Sequence, residues 1–159
     1  MSMDQQKKFM REAIRLSLEN VNSGNGGPFG AVIVKNGNII ASGVNAVTST
    51  NDPTAHAEMI AIRNACNHLG TFQLDGCEIY CSCEPCPMCL GAIYWARPNK
   101  IYYANTKQDA AKINFDDHFI YSELDVSIAE RKLPTIQLLR DEAQTAFTQW
   151  KKSTEKVEY

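Results

Sequence analysis

Two short runs, His56-Ala57-Glu58 and Pro85-Cys86-Pro87-Met88-Cys89, restrict the fold of this chain more than any other feature. They carry three good zinc ligands, His56, Cys86 and Cys89, and a fold that uses them must bring both runs to one point. A structural zinc site is closed by four protein ligands, whereas a catalytic one keeps three and leaves a position for water. Three ligands with a spare carboxylate, Glu58, beside one of them match the second arrangement.

The spacing supports that reading. Cys86 and Cys89 are three apart, so in the first turn of a helix their sulfurs share a face. His56 is expected in the early turns of the preceding helix. Zn2+ held between two helix starts would lie at the positive ends of both macrodipoles, which favours thiolate over thiol and hydroxide over water. Glu58 falls about 200° from His56 around an ideal helix, so its side chain has to curl back toward the metal. Hydrolysis by a metal-activated water needs one proton delivered beside the carbon attacked and another to the departing group. A single carboxylate at the site can supply both.

Each fragment alone has a plainer reading. His-x-Glu in a helix is commonly a half-buried histidine beside a solvated glutamate, and Cys-x2-Cys is commonly half of a structural zinc site. Cys83, Cys86 and Cys89 also resemble the start of an iron–sulfur run, but that run needs a cysteine at position 93, which is Ile. With Asp52-Pro53 before one half and Pro85 opening the other, a catalytic zinc site accounts for more of the pattern than a structural one.

A length of 159 residues, 44% of them apolar, suits one domain with a single core. The net charge of −2 and pI near 5.9 weigh against a polynucleotide as main substrate, for which a pI above about 9 is usual. Six cysteines could form a disulfide framework, but four of them crowd into positions 81–89 of a chain too long to need one. The polar start Met1-Ser2-Met3-Asp4-Gln5-Gln6-Lys7-Lys8 carries no secretory core, and no apolar run approaches the roughly 20 residues that span a bilayer. A soluble, cytoplasmic protein is expected.

Along the chain, Met10, Ala13, Ile14, Ser17, Leu18 and Val21 form the buried stripe of an opening helix, ended by Ser23-Gly24-Asn25-Gly26-Gly27-Pro28. Gly30 to Val34 and Asn38 to Gly43 make a hairpin across Asn36-Gly37. Asp52 caps a second helix, with Pro53 at its first position, a buried face of Ala57, Ile60, Ala61, Ala65 and Leu69, and a stop at Gly70. Cys77 to Ser82 is a strand, a helix runs from about Pro85 to Arg97, and Lys100 to Ala104 is the next strand. Thr106 to Glu123 is mixed, Thr135 to Leu138 is a last strand, and Leu139, Ala143, Ala146, Phe147 and Trp150 mark a final helix. The fold class is therefore α/β, a three-layer α-β-α arrangement around a mixed five-stranded sheet.

The runs Gly26-Gly27-Pro28-Phe29-Gly30-Ala31-Val32-Ile33-Val34, Asn51-Asp52-Pro53-Thr54-Ala55-His56-Ala57-Glu58 and Ser82-Cys83-Glu84-Pro85-Cys86-Pro87-Met88-Cys89-Leu90-Gly91-Ala92-Ile93-Tyr94-Trp95-Ala96-Arg97-Pro98 resemble the cytidine-deaminase-like superfamily. Within it, the chain is similar to the bacterial guanine deaminases, and the likeness includes Phe115-Asp116-Asp117 and the terminal Glu158-Tyr159. The resemblance implies hydrolysis of guanine to xanthine and ammonia, with Zn2+ on His56, Cys86 and Cys89 and Glu58 as the proton shuttle. It further implies that Asn45 contacts the purine edge, that Phe29 packs near the ring, and that Asp117 recognises the guanine or assists proton transfer. Relatives form homodimers and can exchange C-terminal segments, which would place Tyr159 over a neighbour's pocket and make 139–159 an exchanged helix and tail on a single 1–159 domain.

From the residues alone, Phe29 serves equally well as a core side chain beside a glycine-rich turn, and Asn45 as a turn residue after a strand. The rival functions are a tRNA adenosine deaminase, which needs basic surface for its RNA, and a cytosine or cytidine deaminase with the same zinc chemistry. A deaminase-like binding module with structural zinc is a third, but it has no use for Glu58.

Overall fold

A computed structural model describes residues 2–159. Contacts divide the chain into two compact units, one ending at Asp117 and one spanning His118–Tyr159. The first unit opens with α1 (Met3–Ser23), capped by Ser2 and Gln5 in a reciprocal capping box and stopped by Gly24 in the left-handed region. Strands β1 (Gly30–Lys35) and β2 (Asn38–Val44) pair antiparallel across Asn36-Gly37, both at positive φ, as the hairpin motif predicts. A short helix α2 (Val47–Thr50) precedes α3 (Ala57–Leu69), which stops at Gly70. Strand β3 (Cys77–Cys83), helix α4 (Pro87–Ala96), strand β4 (Lys100–Asn105) and helix α5 (Lys107–Ala111) follow.

The sheet order is β2-β1-β3-β4, with β1 antiparallel to both neighbours and β4 parallel to β3. Alternation along the central strands splits the core in two. Ala31, Ile33, Ile79 and Cys81 face α3 and α4, meeting Ala57, Ala61, Ala65, Ile93 and Ala96. Val32, Val34 and Tyr80 face α1, meeting Phe9 and Ala13. Helices thus cover both faces, and the small residues of α3 let it lie close to the strands. At Gly43 a Cβ would run into the carbonyl of Ala57, so glycine there fixes how near the start of α3 comes to β2.

Four expectations are corrected. The sheet has four strands, not five: 135–138 is irregular, with Ile136 and Leu138 exposed, and a strand forms only where a neighbour completes its ladder. Of the α1 stripe, Ala13 and Ser17 are buried as expected, but they pack beside Phe9 and Asn20, whereas Ile14, Leu18 and Val21 are exposed, so the packed face is rotated toward Phe9 and Asn20. The second helix starts at Ala57 rather than after Asp52, because Asp52 accepts from the Thr54 N–H and hydroxyl at 2.8 and 2.7 Å and closes a turn instead. Helix α4 starts at Pro87, two residues later than expected, which makes Cys86 its N-cap.

The second unit contains α6 (His118–Asp125), a 3₁₀ turn (Ile128–Glu130) and α7 (Arg140–Lys152). Ser127 and Glu130 cap the turn reciprocally, and the Glu123 carboxylate accepts from the Lys132 N–H. Leu139, Phe147 and Trp150 of the predicted α7 stripe are all at least half exposed in this chain.

Candidate active site

His56 and Cys86 occupy equivalent positions in two helices. Each is an N-cap with extended backbone, and neither side chain makes a capping hydrogen bond. In place of capping, they turn toward each other: the His56 Nδ1 lies 3.6 Å from the Cys86 Sγ and 3.5 Å from the Cys89 Sγ. A tetrahedral zinc with ordinary bond lengths holds thiolate sulfur and imidazole nitrogen about 3.6 Å apart. The donor set therefore fits zinc in element and in spacing. All three ligand atoms lie within 4.8 Å of one another, and Cys81 and Cys83 do not join them.

The cysteines differ in electrostatics. A hydrogen bond from Cys89 and another from His56 draw the Cys86 thiol down to about 4 against the cost of burial. Cys89, whose single S–H faces both the Cys86 sulfur and the Glu58 carboxylate, is pushed up. The hydrogen bond to Cys86 in turn raises the His56 pKa. Burial pushes up Cys81 and raises Cys83 to about 11, so both are neutral thiols. The Cys83 Sγ lies 3.6 Å from the Thr106 carbonyl, its acceptor.

Glu58 stands two residues past His56, but because His56 is the N-cap and lies outside the helix, the two side chains are not held 200° apart. Glu58 is 7% exposed, and its Oε2 accepts from the Cys89 Sγ at 3.5 Å. Burial, the main effect, raises its pKa, with the negative charge at Cys86 adding to it. A carboxyl that is easily protonated at the edge of the ligand cluster is suited to carry protons.

Asn45 directly follows β2 and is buried. Its Oδ1 accepts from the Gly27 and Val47 N–H groups at 3.2 and 3.4 Å, which fixes the orientation of the amide. The turn chemistry expected of this residue is therefore present. Phe29 is half-buried and packs edge-to-face on Phe115, ring centroids 4.9 Å apart, with Gly27 leaving room for both rings. Phe115, 47% exposed, is a partner of Phe29 that spacing alone did not reveal; its place two before Asp117 was the available signal. Asp117 is half-buried, and burial followed by the charge at Cys86 raises its pKa. Asp116 is exposed. Tyr159 lies in the second unit and is 68% exposed.

Residues 3–105 match the family profile for the cytidine and deoxycytidylate deaminase zinc-binding region. Together with the His56, Cys86 and Cys89 cluster, that match defines the class: the chain belongs to the cytidine and deoxycytidylate deaminase family of zinc-dependent hydrolytic enzymes. Among particular relatives, it is 56% identical to guanine deaminase of Bacillus subtilis over 95% of this chain and 97% of that one. The X-ray structure of guanine deaminase from Bacillus subtilis superposes with a TM-score of 0.95 at 54% identity, covering 100% of this chain and 99% of the other. A tRNA-specific adenosine deaminase of Aquifex aeolicus is 49% identical over 77 residues, 48% of this chain and 51% of its own length.

Proposed function

We propose that this protein hydrolyses guanine to xanthine and ammonia, consuming one water per turnover. The observation that carries the reading is the extent of likeness. Identity to a guanine deaminase runs through 95% of the chain, whereas the tRNA-specific adenosine deaminase of Aquifex aeolicus matches 48% of it. His56, Cys86 and Cys89 would hold Zn2+, whose contribution when bound is to lower the pKa of water toward roughly 7.

The chain's own groups then divide the work. Glu58 delivers one proton to the ring nitrogen beside the amino-bearing carbon and a second to the departing amine, so that nitrogen leaves as ammonia. Its burial and raised pKa support that double duty. The Nδ2 of Asn45 donates to an acceptor on the purine edge, while Phe29, backed by Phe115, packs against the ring. Asp117, whose carboxyl is also raised by burial, accepts from the guanine N–H groups or relays a proton.

The protein acts as a homodimer in the cytoplasm, each 1–159 chain working as one domain whose segment 139–159 exchanges between subunits and brings Tyr159 over the partner's pocket. Exposed Leu139, Phe147 and Trp150 on α7, and Ile14, Leu18 and Val21 on α1, support a partner that covers apolar surface. No helix of the described residues is long and apolar enough to cross a membrane. The test is a substrate panel: with guanine, adenine, cytosine, cytidine and a tRNA anticodon arm offered in parallel, guanine alone is converted. Preference for the anticodon arm would favour the tRNA reading, and preference for cytosine or cytidine the pyrimidine one.

A further inference from the structure

One buried polar side chain has no part in the chemistry above. Asn20, near the end of α1, is 4% exposed and occupies the stripe position that follows Phe9, Ala13 and Ser17. An apolar residue would serve helix packing there at lower desolvation cost. The Asn20 Nδ2 instead donates to two carbonyls, that of Gly27 and that of Asn45, both at 2.8 Å. These carbonyls belong to different segments, the turn before β1 and the residue after β2. The ring is closed by the Gly27 N–H donating to the Asn45 Oδ1, and the Asn45 N–H donates to the Phe29 carbonyl. A Cβ at Gly26 would collide with the Asn45 carbonyl and come within 3.1 Å of the Asn20 Nδ2, so the segments are packed without slack.

We infer that Asn20 is a positioning residue for substrate recognition: by bridging the Gly27 and Asn45 carbonyls, it holds the Asn45 amide and the Phe29 ring at a fixed angle to the purine. The inference rests on the guanine reading. One amide nitrogen has two hydrogens, and both are used here on the backbone that carries the recognition groups. Without them, Asn45 keeps its own hydrogen bonds to Gly27 and Val47, but the turn and the residue after β2 are no longer tied to α1. The loss is therefore felt in how well the ring is bound and aligned, and so in KM and kcat/KM.

The test is a double-mutant cycle on the zinc-loaded full chain, using Asn20→Ala, Asn45→Ala and the pair, with guanine kinetics, zinc content and urea unfolding measured for each. Asn20→Asp is added because it keeps the shape and removes the donors. The expected result is a KM for guanine raised about tenfold by either change at Asn20, with one zinc per chain retained. In the Asn45→Ala background, Asn20→Ala should reduce kcat/KM clearly less than it does in the parent, because the part that acts through the Asn45 amide is gone and only the part that acts through Phe29 remains. Equal effects of Asn20→Ala in both backgrounds would overturn the inference, as would unchanged KM, or failure of both Asn20 variants to fold. Failure of the guanine reading looks different: the unmutated protein would then leave guanine intact.

Discussion

Glu58→Gln separates proton transfer from metal binding with little change of shape. Glutamine is nearly isosteric with glutamate, and its amide oxygen can keep the contact that the Glu58 Oε2 makes with the Cys89 Sγ at 3.5 Å. The carboxyl is 7% exposed and burial favours its neutral form, so replacing it with a neutral amide should shift stability by less than about 1 kcal/mol. Catalysis is different, because an amide cannot pick up and release a proton. General acid–base assistance contributes about 10²–10⁴-fold per transfer, and Glu58 serves two transfers. The combined loss in kcat should be at least about 10³-fold, or roughly 4 kcal/mol of barrier. Ultraviolet conversion of guanine to xanthine gives kcat, metal analysis gives zinc per chain, and urea unfolding gives stability. Activity within tenfold of the parent would refute the shuttle role. Loss of zinc would show that Glu58 is a ligand instead.

Phe115→Ala should raise the guanine KM by about two- to tenfold while leaving kcat within threefold, because an edge-to-face pair is worth about 0.5–1.5 kcal/mol to the placement of Phe29; an unchanged KM would mean that Phe115 does not place Phe29. Gly43→Ala should cost about 1–3 kcal/mol in urea unfolding, since its Cβ meets the Ala57 carbonyl rather than a side chain that can swing away; a loss under about 0.5 kcal/mol would mean that α3 can move outward freely. Asp109→Asn weakens the capping box at α5, where the Thr106 N–H and hydroxyl and Lys112 hold the Asp109 carboxyl down to about 2 from an ordinary 3.8. The folded-state pKa is depressed, so the stabilisation is present above about pH 4 and fades as pH falls through 2. Thermal unfolding of parent and variant should therefore differ at neutral pH and converge near pH 2, and a gap that persists there would contradict the assignment.

The parts of the fold that were legible in the sequence are those in which local chemistry and tertiary packing agree. Asn36-Gly37 can adopt positive φ at both residues, so the hairpin follows from the dipeptide. Ala57, Ala61 and Ala65 repeat at helical spacing and do face the sheet. The donor set was legible because the element identities and the count of three limit what they can bind. Other features failed for a physical reason in each case. Asp52-Pro53 is a good helix start, yet Asp52 is used by Thr54, and the helix waits for His56, whose ring is needed by the cysteines. Ile14, Leu18 and Val21 look like a core stripe because hydrophobicity reports a surface to be covered, not which neighbour covers it. The run at 135–138 has strand composition, but a strand is a property of a pair. Asn20 was invisible because an isolated asparagine in a helix has no pattern; its meaning lies in two carbonyls, one seven and one 25 residues away in sequence.

The most direct test of the central claim is a zinc titration of the metal-free protein, with ammonia released from guanine measured at each step. Activity should rise in proportion to zinc, level off at one ion per chain, and yield one ammonia and one xanthine per guanine consumed. Guanine left intact at one bound zinc per chain would contradict the account, because the cluster of His56, Cys86 and Cys89 would then be filled without the chemistry assigned to it.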